Sequence, residues 1–395
     1  MTHKWKRWVA PGAALTAAAL LAACSSSSSS STSTATSPAA AASTSASASS
    51  TADAGVAKAQ QMVTQLEGTT TSYPVPTASV SGVSALKGKT VYYIPLIQFI
   101  PGFVVTAATM KQALAKVGMN LQVCNGNGVP STIASCVQQA TGAGAAGIVT
   151  DAIPYGMAQN AFNAAKAKGV PIVIADQIPP AGVANTNSVA YIAGVADQPS
   201  QIAWWTIADS QGKANALLAQ ESDSPSSIAY VQDSLPIYKQ NCPACVIKVV
   251  SITATSNAQL ASDTSSNLLA NPNATYYYTE FEDSLDPTVQ GIQQANKTSV
   301  ALSVAGGTID GLGRLKSGSV VKAVVTVDQA YAGWALTDEV LRMATKTGPS
   351  NETFPSRLFT SANIGTIEVT AAAQASGAWF GDNSYQASFE KLWGV

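Results

Sequence analysis

Histidine is nearly missing: His3 is the only imidazole in 395 residues. A chain cut after Ala23 would have none. That excludes Ser-His-Asp and Cys-His catalysis, and every histidine-containing metal site, from the remainder. Charge is scarce as well, at 11% of residues, and aromatics make up 7%. Beyond residue 23 the arginines are Arg314, Arg342 and Arg357 alone. Losing residues 1–23 removes three of the 21 basic residues and none of the 22 acidic ones, which leaves 18 against 22 and a formal charge of −4. A mildly acidic chain with so few guanidinium groups is a poor partner for nucleic acid. Alanine, serine and threonine dominate instead, so solubility rests mainly on neutral hydroxyls and amides.

The N-terminus is the sharpest feature present. Lys4, Lys6 and Arg7 form a basic head, and residues 13–21 form an apolar stretch too short to span a bilayer. Leu21-Ala22-Ala23-Cys24 follows, with small side chains where a peptidase needs them. The pattern resembles a bacterial lipoprotein signal. It implies removal of residues 1–23, lipidation of Cys24, and a mature chain anchored at the outer face of the cytoplasmic membrane. Residues 24–52 carry almost nothing apolar beyond alanine and read as a flexible tether. Residues 53–86 read as a short helix, with Val56, Ala59, Val63 and Leu66 at helical spacing, and then a polar linker. Four cysteines remain after Cys24, an even number that in an exported protein reads as two disulfides. Proximity favours Cys124–Cys136 and Cys242–Cys245, although sequence allows three connectivities.

From residue 87 a pattern repeats: a short β-branched or aromatic run, a Gly/Asn/Asp-rich corner, then an amphipathic stretch. Strands are predicted at 90–95, 120–124, 147–150, 172–175, 189–192, 214–218, 246–252, 275–279, 300–304 and 320–327. Helices are predicted near 103–117, 131–142, 156–168, 198–211, 225–240, 257–270, 286–296, 309–316 and 330–345. Near-continuous apolar strands alternating with helices argue for an α/β protein with parallel sheets covered on both faces. The length argues for two lobes rather than one core. Ligands of such sheets sit beyond the carboxyl ends of the strands.

The phrasing of residues 87–176 carries a resemblance. Gly88-Lys89-Thr90-Val91-Tyr92-Tyr93-Ile94-Pro95 opens it, and Gly118-Met119-Asn120-Leu121-Gln122-Val123 follows. Then come Gln138-Gln139-Ala140, Ala146-Gly147-Ile148-Val149-Thr150 and Lys168-Gly169-Val170-Pro171-Ile172-Val173-Ile174-Ala175-Asp176. This series resembles the sugar-type, ribose-binding-like branch of the type I periplasmic binding proteins, the solute receptors of ABC importers. The resemblance spans about residues 87–360. It implies two Rossmann-like lobes joined by a three-segment hinge, with the ligand trapped in the cleft between them. The first lobe would hold 87–186 plus 330–358, the second 187–329 plus 359–395. Crossings would fall near 182–189, 327–330 and 359–363. Partners would be a small polar ligand and a membrane permease; no cofactor or metal is expected, and the chain should be a monomer.

Candidate ligand contacts follow the strand ends. Gln98, Phe99 and Phe103 stand after the first strand, where relatives place an aromatic wall and an amide; the phenylalanines also suit a core helix. Asn125 and Asn127 stand in a glycine-rich corner and equally suit a turn. Asp151 ends the third strand. Asp176 ends the fourth, at the position where the family's carboxylate accepts two ligand hydroxyls. Gln177 replaces an arginine frequent in relatives, which weakens the expectation of a pyranose or furanose. In the second lobe Glu221 and Asp223 follow one strand, and Glu280, Phe281, Glu282 and Asp283 follow another. If two of those carboxylates face the cleft, an amine-bearing ligand becomes attractive; otherwise they cap a helix or sit in solvent. Asp328 and Gln329 stand at the second crossing, with helix capping as the rival role of Asp328. Trp204 and Trp205 read as packing residues and Arg314 as a surface charge.

Other functional classes have weaker support. Cys242-Pro243-Ala244-Cys245 has redox spacing, but a helix precedes it and a strand follows, the reverse of the order that lowers a thiol pKa. Paired carboxylates could hydrolyse glycosides, yet no pair is singled out by spacing. The expected function is an extracytoplasmic solute-binding lipoprotein that captures a sugar or polyol for an ABC-type permease. The alternatives are a receptor for an amine-bearing or other non-sugar molecule feeding a sensor, and, behind these, an envelope hydrolase or thiol-disulfide enzyme.

Overall fold

The computed structural model describes residues 42–253 and 258–395. The leader, Cys24 and the start of the expected tether lie outside them. Helix α1 runs Ala42–Leu66, so it begins inside the segment read as a tether. Between residues 42 and 52 no glycine or proline interrupts the alanine- and serine-rich stretch, and alanine has the highest helix propensity. Ala59 is fully buried against Ile202, Trp205, Tyr238 and Cys242, with Val56, Val63 and Leu66 along the same stripe.

The first sheet has strand order β2-β1-β3-β4-β5 and is wholly parallel. Its strands are β1 (Thr90–Pro95), β2 (Asn120–Val123), β3 (Gly147–Asp151), β4 (Ile172–Ala175) and β5 (Val189–Ile192). Strand alternation divides its side chains between two cores. Val91, Tyr93, Val149 and Val173 face α2 (Pro101–Lys116). Tyr92, Ile94, Ile148 and Ile172 face α3 (Pro130–Gly142) and α4 (Gln159–Ala167). Covering both faces is what lets β3 and β4 be apolar along their length.

The second sheet has order β11-β10-β9-β8-β6-β7, from β6 (Asn215–Glu221), β7 (Val246–Ile252), β8 (Tyr276–Thr279), β9 (Ala301–Val304), β10 (Val321–Val327) and β11 (Ser356–Thr360). It is parallel except for β11, which runs against β10. Its faces are covered by α1, α5 (Gln198–Asp209) and α6 (Pro225–Asn241) on one side. On the other lie α7 (Leu260–Ala270), α8 (Leu285–Gln294) and α9 (Ile309–Lys316). Helix α10 (Gln329–Ala344) returns to the first lobe, where Tyr331, Trp334 and Leu341 are buried.

Three boundaries differ from the sequence reading. Strand β5 pairs with β4, so the first lobe extends past residue 186 and the first crossing is 193–197 rather than 182–189. Residues 182–188 form the turn that delivers β5 to its sheet. The third crossing precedes β11, at 345–355, so Phe359 is a core residue of the second lobe rather than a hinge residue. The tail also divides: Trp379, Phe380 and Ala373 join the core of the second lobe, while α11 (Ala371–Ser376) also touches α10 and α2 of the first, and α12 (Tyr385–Trp393) returns to the first. Tyr385, Phe389 and Trp393 join Tyr331 and Trp334 there in a cluster of rings, some stacked and some edge-on, with centroids 5.1 to 6.4 Å apart.

Two further segments therefore bridge the lobes beside the three crossings. After α1 the chain passes from Glu67, whose carbonyl accepts from Arg357 and Asn363, to Tyr73 in the first lobe. At the other end, 381–384 links Phe380 to Tyr385. The two bridges are joined by a hydrogen bond from Thr70 N to Phe380 O, 2.6 Å. The disulfides are Cys124–Cys136 and Cys242–Cys245, the pairing that proximity favours.

Candidate functional site

The carboxyl ends of β3 and β4 are neighbours, with Asp151 in register with Ala175. Asp176, the next residue, has a left-handed backbone (φ 55°), which Asp tolerates better than most non-glycine residues. Its carboxyl lies within hydrogen-bonding reach of that of Asp151. Oδ2 of Asp151 accepts from the Tyr93 hydroxyl at 2.7 Å; Oδ1 of each aspartate has no hydrogen-bond partner. Burial foremost, and then the charge of Asp151, hold Asp176 well above the usual carboxylate range. Burial also raises Asp151, partly offset by the Tyr93 hydroxyl. Two adjacent carboxyls in a dry site retain one proton between them.

The second lobe presents its own acids. Glu280 follows β8 and is 1% exposed. Its Oε2 accepts from Glu221 N at 3.0 Å, and its Oε1 is unpartnered. Burial, with a smaller contribution from the charge of Glu221, raises it well above the ordinary glutamate range. Glu221, at the end of β6, is pushed up to about 8 by burial and by the nearby Asp283 and Asp223. Tyr230, in the second turn of α6, is buried with its hydroxyl unpartnered, and it feels Asp176, Glu280 and Asp151 together. Among the described residues no lysine or arginine counters these four buried carboxyls. Arg314 is held by Asp286 and Asp310, Arg342 by Asp338, and Arg357 by the carbonyls of Glu67 and Trp379. The described lysines lie at the surface.

The lobes touch at this point. Ser226 Oγ, in the first turn of α6, donates to Gln177 Oε1 (3.0 Å) and accepts from Ile178 N (3.1 Å). Its position follows from local sequence: Ser224 caps α6, accepting from Ser227 N, and Pro225 occupies the first turn. Behind the contact, Tyr230 packs with Val195 and Val327, with Ile178, Phe281 and Phe354 against them. A Cβ on Gly194 would fall 2.0 Å from the Phe354 ring, so the first and third crossings pack closely only because residue 194 is glycine.

The structure thus brings together Asp151, Asp176, Gln177, Glu221, Glu280 and Phe281 from the sequence-predicted set. Others have different work. The Asn125 carboxamide accepts from Gln98 N and Asn127 N, pinning its own corner. Phe103 packs on the first core and Phe99 is 78% exposed, so the two do not form one wall. Gln98 is exposed, as is Asp283. Glu282 accepts from Gly311 N and so caps α9 rather than the helix that follows it. Asp328 is a cap too: Oδ1 takes Tyr331 N and Oδ2 takes the Tyr73 hydroxyl, so both oxygens are already engaged. Gln329 is turned to Thr326. Sequence reasoning missed Tyr93 and Tyr230, which look like ordinary core tyrosines. It missed Ser226 as well, although Ser224-Pro225 after a strand end was a signal for a helix start pointing at the site. Two open grooves, of about 490 Å³ by Pro101 and α9 and about 620 Å³ by Tyr73 and α12, contain none of the four buried carboxyls.

No protein-family model and no curated protein sequence matches the chain. Solved structures do. The 5-methylthioribose transporter solute-binding protein of Thermotoga lettingae superposes with a TM-score of 0.63 at 14% identity, over 78% of this chain and 98% of that one. A sugar ABC transporter protein of Yersinia enterocolitica gives 0.64 at 15%, over 80% and 98%. The Caulobacter myo-inositol binding protein gives 0.60 at 18%, over 71% and 95%. The chain has the two-lobed α/β fold of the solute-binding proteins of sugar ABC transporters.

Proposed function

We propose that the chain is an extracytoplasmic receptor that closes its lobes on a small polyhydroxylated solute, a sugar or polyol, and hands it to an ABC-type permease. Lipid at Cys24 would hold it on the membrane. The carrying observation is that hydrogen-bonding groups from both lobes, at strand ends and on α6, lie buried and unpartnered around one contact. A folded chain rarely leaves such groups unsatisfied, because each costs about 1–3 kcal/mol. Ligand hydroxyls supply the missing donors: Asp151 and Asp176 accept, Glu280 accepts, and the Tyr230 hydroxyl donates or accepts. With the groups this deeply covered, a ligand enters only after the lobes part and Ser226 releases Gln177 and Ile178.

Hydrolysis is disfavoured by the same geometry. A glycosidase holds its two carboxyls about 5 Å or more apart, whereas Asp151 and Asp176 lie within hydrogen-bonding reach of each other. Calorimetric titration against a panel of sugars and polyols, followed by recovery of the bound compound, tests the reading. Saturable 1:1 binding with the ligand recovered intact is expected; a cleaved or oxidised product would replace this reading with an enzymatic one.

A further inference from the structure

The proposed receptor site gathers acidic groups with no lysine or arginine beside them, so their carboxyls are held protonated by burial. Asp151, Glu221 and Glu280 are buried in it and Asp176 is partly buried with its Oδ1 covered, and each of the three described arginines is committed elsewhere. The N-terminus of α6 contributes roughly half a positive charge, enough to offset part of one carboxylate. A neutral polyol would satisfy hydrogen bonds and leave these acids held protonated, whereas a cation lets one of them ionise in place. A metal ion is a poor fit, because among the described residues no group of three or more acidic side chains closes on one point. The independent marker is Tyr230: an uncharged hydroxyl, 2% exposed, with Ser226 beside it but no hydrogen bond completed, and within electrostatic range of the aspartate pair of one lobe and Glu280 of the other.

We infer that the ligand carries a protonated amine beside its hydroxyls: an amino sugar or amino polyol, with the ammonium at Glu280 and Tyr230 and hydroxyls on the Asp151–Asp176 pair. An ammonium brings one positive charge and up to three N–H donors, which matches the unpartnered Glu280 Oε1 and its neighbours. Tyr230 and Phe281 supply aromatic surface at the same place, favourable to a cation. This inference rests on the receptor reading above and narrows its ligand class.

The test is calorimetry and thermal shift in phosphate buffer, since Tris is itself an amine-bearing polyol. The probes are glucosamine, galactosamine and N-methylglucamine, each set beside its uncharged counterpart: glucose and N-acetylglucosamine, galactose, and sorbitol. Tighter binding of an amine-bearing member by tenfold or more over its counterpart is expected, with Glu280→Gln lowering that affinity tenfold or more. The same variant should raise the melting temperature of the ligand-free protein at pH 8, because the folded chain no longer has to hold a proton that the unfolded chain gives up near pH 4, while the side chain's shape is kept. A neutral counterpart binding as tightly as its amine overturns the inference and leaves the receptor reading standing. Binding by no member of either set overturns both.

Discussion

Asp176 illustrates how one buried carboxyl ties stability to function. Its folded-state pKa is raised, so the folded chain holds a proton that the unfolded chain gives up near pH 4. Stability is therefore highest below about pH 4 as far as this group is concerned, and it is lost as pH climbs toward the folded-state value. Asn keeps the shape, tolerates φ 55° and cannot ionise. Asp176→Asn should thus melt higher than the parent at pH 8, equal it near pH 4, and bind ligand at least tenfold more weakly; thermal melts across that range, with titrations at pH 8, check all three. Glu221 adds to the same slope between about 4 and its raised value near 8. Tyr93 acts in the opposite sense. Removing its hydroxyl leaves Asp151 Oδ2 without its donor, so Tyr93→Phe should cost about 1–3 kcal/mol in chemical denaturation at neutral pH.

Among the elements, α10 shows how a residue at a strand end can serve the fold. Asp328 ends β10, caps the helix that crosses to the first lobe, and holds Tyr73 of the N-terminal bridge. Burial raises its pKa to about 6, which weakens the capping as pH falls below that value only if the proton displaces the Tyr331 bond. Asp328→Ala should cost about 1–2 kcal/mol of stability, the range of a lost N-cap, and leave ligand affinity within twofold. Equal losses in both would return Asp328 to the binding site. Element positions from β1 to α10 were legible because continuous apolar strands and 3.6-residue stripes alternate there. What was not legible has physical reasons. Ser356-Arg357-Leu358-Phe359-Thr360 hides a strand behind a buried arginine whose donors are satisfied by Glu67 and Trp379. The lobe that holds α12 is chosen by Tyr331 and Trp334, residues about fifty positions away. Asp151, Asp176 and Glu280 stood out as acids at strand ends, whereas Tyr93 and Tyr230 could be told from core tyrosines only by what their hydroxyls lack.

At the scale of the molecule, five segments join the lobes among the described residues: 193–197, Asp328, 345–355, and the bridges at 67–72 and 381–384. The first three suit a hinge that bends through loop dihedrals. The last two sit side by side, with Thr70 bonded to Phe380 and the Tyr73 ring tilted against that of Tyr385, centroids 4.6 Å apart, so they must move as one when the lobes part. Ser226 adds two direct hydrogen bonds between the lobes, to Gln177 and Ile178. Parting the lobes must therefore break this one hydroxyl's two bonds as well as move the paired bridge. Ser226→Ala removes both bonds while leaving the α6 cap at Ser224 intact. If ligand binds the closed form, each lost bond disfavours that form by about 0.5–1.5 kcal/mol, and apparent affinity should fall roughly five- to 150-fold. Small-angle scattering of the ligand-free variant should show a larger radius of gyration than the parent, and saturating ligand should restore it. An unchanged radius together with unchanged affinity would mean that Ser226 fastens nothing, and that closure is set by the bridges alone.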